Sequence, residues 1–173
     1  MIFPADELKF NGNNGFGFES YMFATTDKHI SRHVDFSDME VVVICNDKKK
    51  TFKGDVLTSV DGRKESMQFF NKVLKDKYKI DMAKNANKLR MSLIYLGLSD
   101  NGEKVFDNWH DEYLELKKAI ISFAKENNKI VAMSTHFHQK ANGSDDMNAP
   151  HVHILYNSTG GDELTKFLFD GSD

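Results

Sequence analysis

Between Ile130 and Tyr156 the chain carries two His-x-His pairs, His136-Phe137-His138 and His151-Val152-His153, set in apolar surroundings and separated by the polar, Gly-containing stretch 139–150. In an extended strand, side chains two apart point to the same face, so each pair presents its imidazoles in parallel. If Lys129–His138 and His151–Tyr156 are neighbouring antiparallel strands closed by the Gln139–Pro150 loop, four imidazoles can converge on one patch. Neutral imidazole is the commonest nitrogen ligand of divalent transition metals, so the expectation is a metal site. The competing reading is that some of these rings only fill the space between a sheet and a helix. Four of the chain's seven histidines in two pairs flanking one loop favour the metal.

The rest of the chain predicts an α+β frame for that site. A length of 173 residues suits one domain with a real core. Phe10–Gly17 is a run of turn-formers, so residues 1–19 read as a flexible N-terminal segment before a single domain over 20–173. Its glycines are not a phosphate-binding loop, because no strand precedes them and no Gly-Lys-Ser/Thr follows. Ser20–Thr25 reads as a short strand, and Glu40–Cys45, with three consecutive valines, as a strand inside a sheet. After an Asn46-Asp47 turn, Thr51–Ser59 returns as another strand. Met67, Phe69, Phe70, Val73 and Leu74 recur at helical spacing and predict a helix over Glu65–Tyr78. Leu89–Leu98 reads as a central strand and Ser99–Gly102 as a turn. Val105–Glu126 reads as a long helix, and a short helix is expected near Asp162. This order predicts a mostly antiparallel central sheet with helices packed on one face and the histidine site on the other.

Composition narrows the partners. The net charge is −3, which gives no whole-molecule attraction to nucleic acid or to an anionic membrane. Lys48, Lys49, Lys50 and Lys53, and the run Lys72, Lys75, Lys77 and Lys79, read as solvated faces. The lone Cys45 cannot form an intramolecular disulfide and reads as a small buried hydrophobe. With no membrane-length apolar stretch and no signal-peptide pattern, the expected location is the cytoplasm.

The segment Pro150-His151-Val152-His153-Ile154-Leu155-Tyr156, preceded by a second histidine-bearing strand, resembles the His-hydrophobic-His metal motif of the HUH endonucleases. Within that superfamily it is most similar to the Mob/Pre type of plasmid mobilisation relaxase, and next to rolling-circle replication initiators. The likeness covers 130–156, less than a fifth of the chain. It implies a domain that nicks single-stranded DNA at a plasmid origin, using Mg or Mn, with Zn or Ni as alternatives, and forming a covalent protein–DNA intermediate. His151 and His153 would be the motif pair, with His136 or His138 as third ligand. Where the Mob/Pre pattern has two acids after its histidine, this chain has His138 and Gln139 instead; Asp145 or Asp146 in the longer loop is a candidate carboxylate.

The nucleophile is open on the same grounds. His29-Ile30-Ser31-Arg32 is similar to the His-x-x-Arg of the Mob/Pre nucleophile motif but lacks its asparagine. Ser31–Phe36 is alternatively similar to the segment that follows the nucleophile, which would leave Tyr21 upstream. Tyr21, His29 and Arg32 are therefore the candidate catalytic residues, with His33 beside them. Tyr156 lies within its strand, and only 17 residues follow it, which disfavours the initiator arrangement. Two other classes compete: a non-nuclease metalloprotein such as a cupin-like barrel, and a catalytically inactive DNA-binding relative.

Overall fold

Val41, Val42, Val43 and Ile44 are all buried, which requires cover on both faces of the strand they form. The computed structural model, which describes residues 5–9, 19, 22–26, 30, 39–96, 109–136, 151–158, 160 and 163–169, supplies that cover. Six strands, β1 (Ala5–Lys9), β2 (Glu40–Cys45), β3 (Lys48–Lys53), β4 (Leu89–Tyr95), β5 (Ile130–His136) and β6 (His151–Asn157), form one sheet in the order β1-β4-β6-β5-β2-β3. Every neighbouring pair is antiparallel. Among the described residues, the helices with defined bounds are α1 (Val60–Tyr78), α2 (Met82–Asn85), α3 (Trp109–Asn127) and α4 (Glu163–Phe169), with 3-10 turns at Gly54–Thr58 and Ala86–Lys88.

Strand alternation divides the core in two. Val42, Ile44, Val131, Met133, Val152, Ile154 and Tyr156 pack with Leu116, Ile120 and Phe123 of α3 and Leu164 of α4. Val41, Val43, Ile130, Ala132, Leu155 and Met91 pack instead with Phe70 and Leu74 of α1 and with Met22 and Phe23. Helices thus lie on both faces, which corrects the expectation of helices on one face only. The physical reason is that the central strands are apolar on both sides, so neither face can be left to water. The sheet is also open, with β1 and β3 at its edges, so a cupin-like barrel does not describe it.

Local chemistry accounts for the element ends. The Ser59 side chain accepts from the Gly62 N–H at 3.1 Å and caps α1, with Asp61 in its first turn. Lys79, at φ 58°, closes α1 in the left-handed region, and Lys75 and Lys77 lie in the last turn against its negative end. β3 is an exposed lysine-rich edge whose one buried side chain is Phe52; edge lysines discourage pairing with a foreign strand.

Three further expectations need correction. Ser20–Thr25 is not a strand where it is described: Met22 and Phe23 are helical, and Ala24 turns with φ 53°. A four-residue apolar run is too short for its periodicity to separate strand from helix, and packing of Phe23 on Phe70, with ring centroids 6.0 Å apart, decides it. The strand expected over Thr51–Ser59 begins earlier, at Lys48, and stops at Gly54, whose φ of 70° turns the chain into a 3-10 helix. Ala5–Lys9, inside the segment expected to be flexible, pairs with β4. Its sequence has weak strand propensity, but an open edge supplies backbone partners that override it. Cys45 is half-buried, its Sγ 3.8 Å from the Tyr78 hydroxyl. No described helix is long and apolar enough to cross a membrane.

Candidate metal centre

The β5/β6 register sets the site. His136 faces His151 across the pair, and Ser134 faces His153. His153 has Leu93 of β4 on its other side. Two-residue alternation gives His151 and His153 the same side of β6, so one ring from β5 and two from β6 meet. The ring centroids are 4.2 Å apart for His136–His153, 5.2 Å for His151–His153 and 5.4 Å for His136–His151. One nitrogen from each ring lies within 4.8 Å of the others, and the residues are 1%, 6% and 4% exposed for His136, His151 and His153. Bonds of about 2.1 Å to a shared ion put nitrogens roughly 3.0–3.4 Å apart, which small ring rotations reach from here.

The donor set passes a chemical test as well. His136 Nε2 lies 2.8 Å from the Met22 carbonyl oxygen. A carbonyl can only accept, so Nε2 carries the proton and Nδ1 keeps its lone pair. A backbone carbonyl holding the far nitrogen of an imidazole is the usual outer-shell arrangement that fixes a ligand's tautomer and orientation. Three neutral imidazoles suit Zn or Ni by ligand type; Mg and Mn prefer oxygen and would draw on water or substrate oxygens for the remaining positions.

Of the residues singled out from the sequence, His136, His151 and His153 come together. His138, Tyr21, His29, Arg32, His33, Asp145 and Asp146 lie outside the described residues. Among the described residues, this is the one cluster of three or more histidine, cysteine or acidic side chains close enough to hold an ion.

Two buried polar residues escaped the sequence reading. Glu19 is fully buried; Asn71 Nδ2 donates to its Oε1 at 3.0 Å, and its Oε2 has no hydrogen-bond partner. Burial lifts its carboxyl to about 7 against the opposing hydrogen bond from Asn71. It lies three residues before Met22, whose carbonyl holds His136. Arg63, on α1, is also fully buried, and its Nη1 has no hydrogen-bond partner. A signal for Arg63 existed in the preceding Gly62, since a glycine inside a helix marks a close backbone approach. A Cβ there would collide with the Val56 carbonyl.

On the α3 side of the same sheet end, the Glu40 carboxylate accepts from the Tyr113 hydroxyl and, at 2.7 Å, from Lys117. Burial alone would raise the Glu40 carboxyl, but the hydrogen bonds from Lys117 and Tyr113 outweigh it and hold it below its ordinary range. The same burial, together with the Glu40 charge, pushes the Tyr113 phenol far up.

Comparison with known proteins yields no relative: no protein-family model matches the chain, and neither does any curated protein or solved structure. The functional reading rests on the chemistry of the site.

Proposed function

We propose that the chain is a metal-dependent endonuclease of relaxase type, which nicks single-stranded DNA at a plasmid origin through a covalent protein–DNA intermediate. The observation that carries this reading is the meeting of a His-x-His pair on one strand with a third histidine on the adjacent antiparallel strand, all three rings buried and one of them held by a backbone carbonyl. His151 and His153 would be the motif ligands and His136 the third. A bound divalent ion would polarise a phosphoryl oxygen and stabilise charge developing on it.

The chain's own residues do the positioning. Strand alternation supports placing the triad on the α1 side: His151 and His153 share parity with Leu155, and His136 with Ile130 and Ala132, all of which pack toward Phe70 and Leu74. The Met22 contact of His136 agrees, because Met22 belongs to the same core. The attacking group would be Tyr21 or His29, with Arg32 as a phosphate-binding partner. An attack on phosphorus joins that side chain to the 5′ phosphate and releases a 3′ hydroxyl. The reading implies a cytoplasmic protein with plasmid DNA as its partner.

The test is cleavage of a pooled single-stranded DNA library with Mn, Mg, Zn and Ni supplied in turn. Metal-dependent nicking with protein attached to the 5′ end, lost in His151→Ala and His153→Ala, is the expected result. An ion bound at the triad without cleavage or attachment on any library member would overturn the nuclease reading and leave a metalloprotein of another class.

A further inference from the structure

Among the described residues, Arg63 is a buried cation with no counter-ion. Its Nε donates to the Leu57 carbonyl at 2.7 Å, its Nη2 makes a weak 3.9 Å contact with Met39 Sδ, and its Nη1 is enclosed with no hydrogen-bond partner. No carboxylate among the described residues pairs with it. Burial brings its guanidinium down only to about 10, so it stays charged at neutral pH. An uncompensated buried charge is costly, and an apolar side chain of similar volume commonly serves stability better.

The surroundings hold this head group in place. With no Cβ on Gly62, the Val56 backbone presses directly on α1, and the next residue, Leu57, takes the Arg63 Nε with its carbonyl. The guanidinium is therefore fixed from one side while Nη1 is left unused.

Its position relates it to the triad. In the β2/β5 register Val41 faces Ser134, and Thr135 Oγ1 accepts from the Glu40 N–H at 2.8 Å. Continued outward by two residues, that register brings Met39, which touches Arg63, alongside His136. Met39 shares parity with Val41 and Val43, the strand positions that pack toward α1. Met39 thus lies about one strand spacing, roughly 4.8 Å, from the strand that carries His136, and the Arg63 guanidinium touches the Met39 side chain at that end of the sheet.

We propose that Arg63 is an oxyanion-binding residue of this site, taking a phosphate oxygen on its free Nη1. A planar guanidinium suits phosphate because its N–H groups match the spacing of two phosphoryl oxygens. That the anion is a phosphate of DNA rests on the nuclease reading; the anion site itself does not.

The test is calorimetric titration of the protein with inorganic phosphate, with Mn affinity measured separately on the same samples. Arg63→Met is expected to remain folded without phosphate and to bind phosphate about tenfold to a hundredfold more weakly, the weight of one charge-assisted hydrogen bond. Arg63→Lys keeps the charge and is expected to retain part of the binding. Phosphate is also expected to slow amide exchange over 57–66 in the wild type and not in Arg63→Met. Equal phosphate affinity in wild type and both variants, or none in the wild type, would overturn the proposal. If phosphate binding depends on Arg63 but neither Mn nor Mg, Zn or Ni binds the triad, the anion site stands and the metal-dependent nuclease reading falls. If a metal binds and phosphate ignores Arg63, the anion site falls and the metal centre stands.

Discussion

On the α3 side of the sheet the buried charges meet their opposites. Glu40 is held by Lys117 and Tyr113, and Lys129 pairs with Glu163 at 2.7 Å. On the α1 side they do not: Arg63 keeps an enclosed Nη1 without a partner, and Glu19 an Oε2. Both sides are otherwise closed by apolar side chains of similar kind. Burying a polar group without a partner is unfavourable, so the α3 side is accounted for by folding alone and the α1 side is not. Groups retained against stability are the ones to associate with function, and on the proposed placement the α1 side also carries the three histidines.

The largest difference should come from the core itself. Ile120, fully buried on α3, when replaced by Ala is expected to lose about 2–5 kcal/mol of stability by chemical denaturation while Mn affinity stays unchanged. A loss of Mn affinity in the folded variant would mean that the two sides are not separable.

Next is Glu40→Gln, which leaves Lys117 without its partner and should cost about 3 kcal/mol at neutral pH. Because the folded Glu40 carboxyl is held below its ordinary value of 4.5, this stabilisation is present above that pH and is lost as pH falls through and below it. Denaturation midpoints of wild type and variant should therefore converge in acid.

Glu19 should show the opposite sign. Its folded carboxyl titrates near 7 rather than 4.5, so the folded state binds the extra proton and stability falls as pH rises between those values. Glu19→Gln should remove that slope and be more stable than wild type at pH 8, by up to about 3 kcal/mol. Parallel pH profiles for wild type and variant would show that Glu19 is not the buried acid described here.

The smallest effect is ligand-linked. Saturating Mn, at about a hundred times its dissociation constant, should raise stability by about 2.7 kcal/mol. His153→Ala should abolish the rise, and Ile120→Ala should keep it.

How much of this was legible beforehand varies by physical cause. β2 and β6 could be read because their apolar runs are long enough for a strand and bounded by turn residues, and α1 and α3 because their periodicity spans several turns. The meeting of His136 with His151 and His153 followed from alternation plus a hairpin-like pairing, although alternation alone leaves His136 and His138 equivalent. The register sets His136 opposite His151, and His138 lies outside the described residues. Glu19 could not be read as buried, and for Arg63 the one sign was the neighbouring Gly62. A single charged residue on an amphipathic helix or beside a glycine-rich run looks like a surface residue until the opposite layer is known. The part that Met22 plays in the site was not legible either, since a backbone carbonyl has no sequence signature.

The most direct measurement is a count of imidazole nitrogens coupled to protein-bound Mn by pulsed electron paramagnetic resonance, on wild type and on His136→Ala, His151→Ala and His153→Ala. The account predicts one bound ion with three imidazole couplings, falling to two or to no bound ion in each variant. An ion with fewer than three imidazoles in the wild type, or one indifferent to all three substitutions, would contradict it.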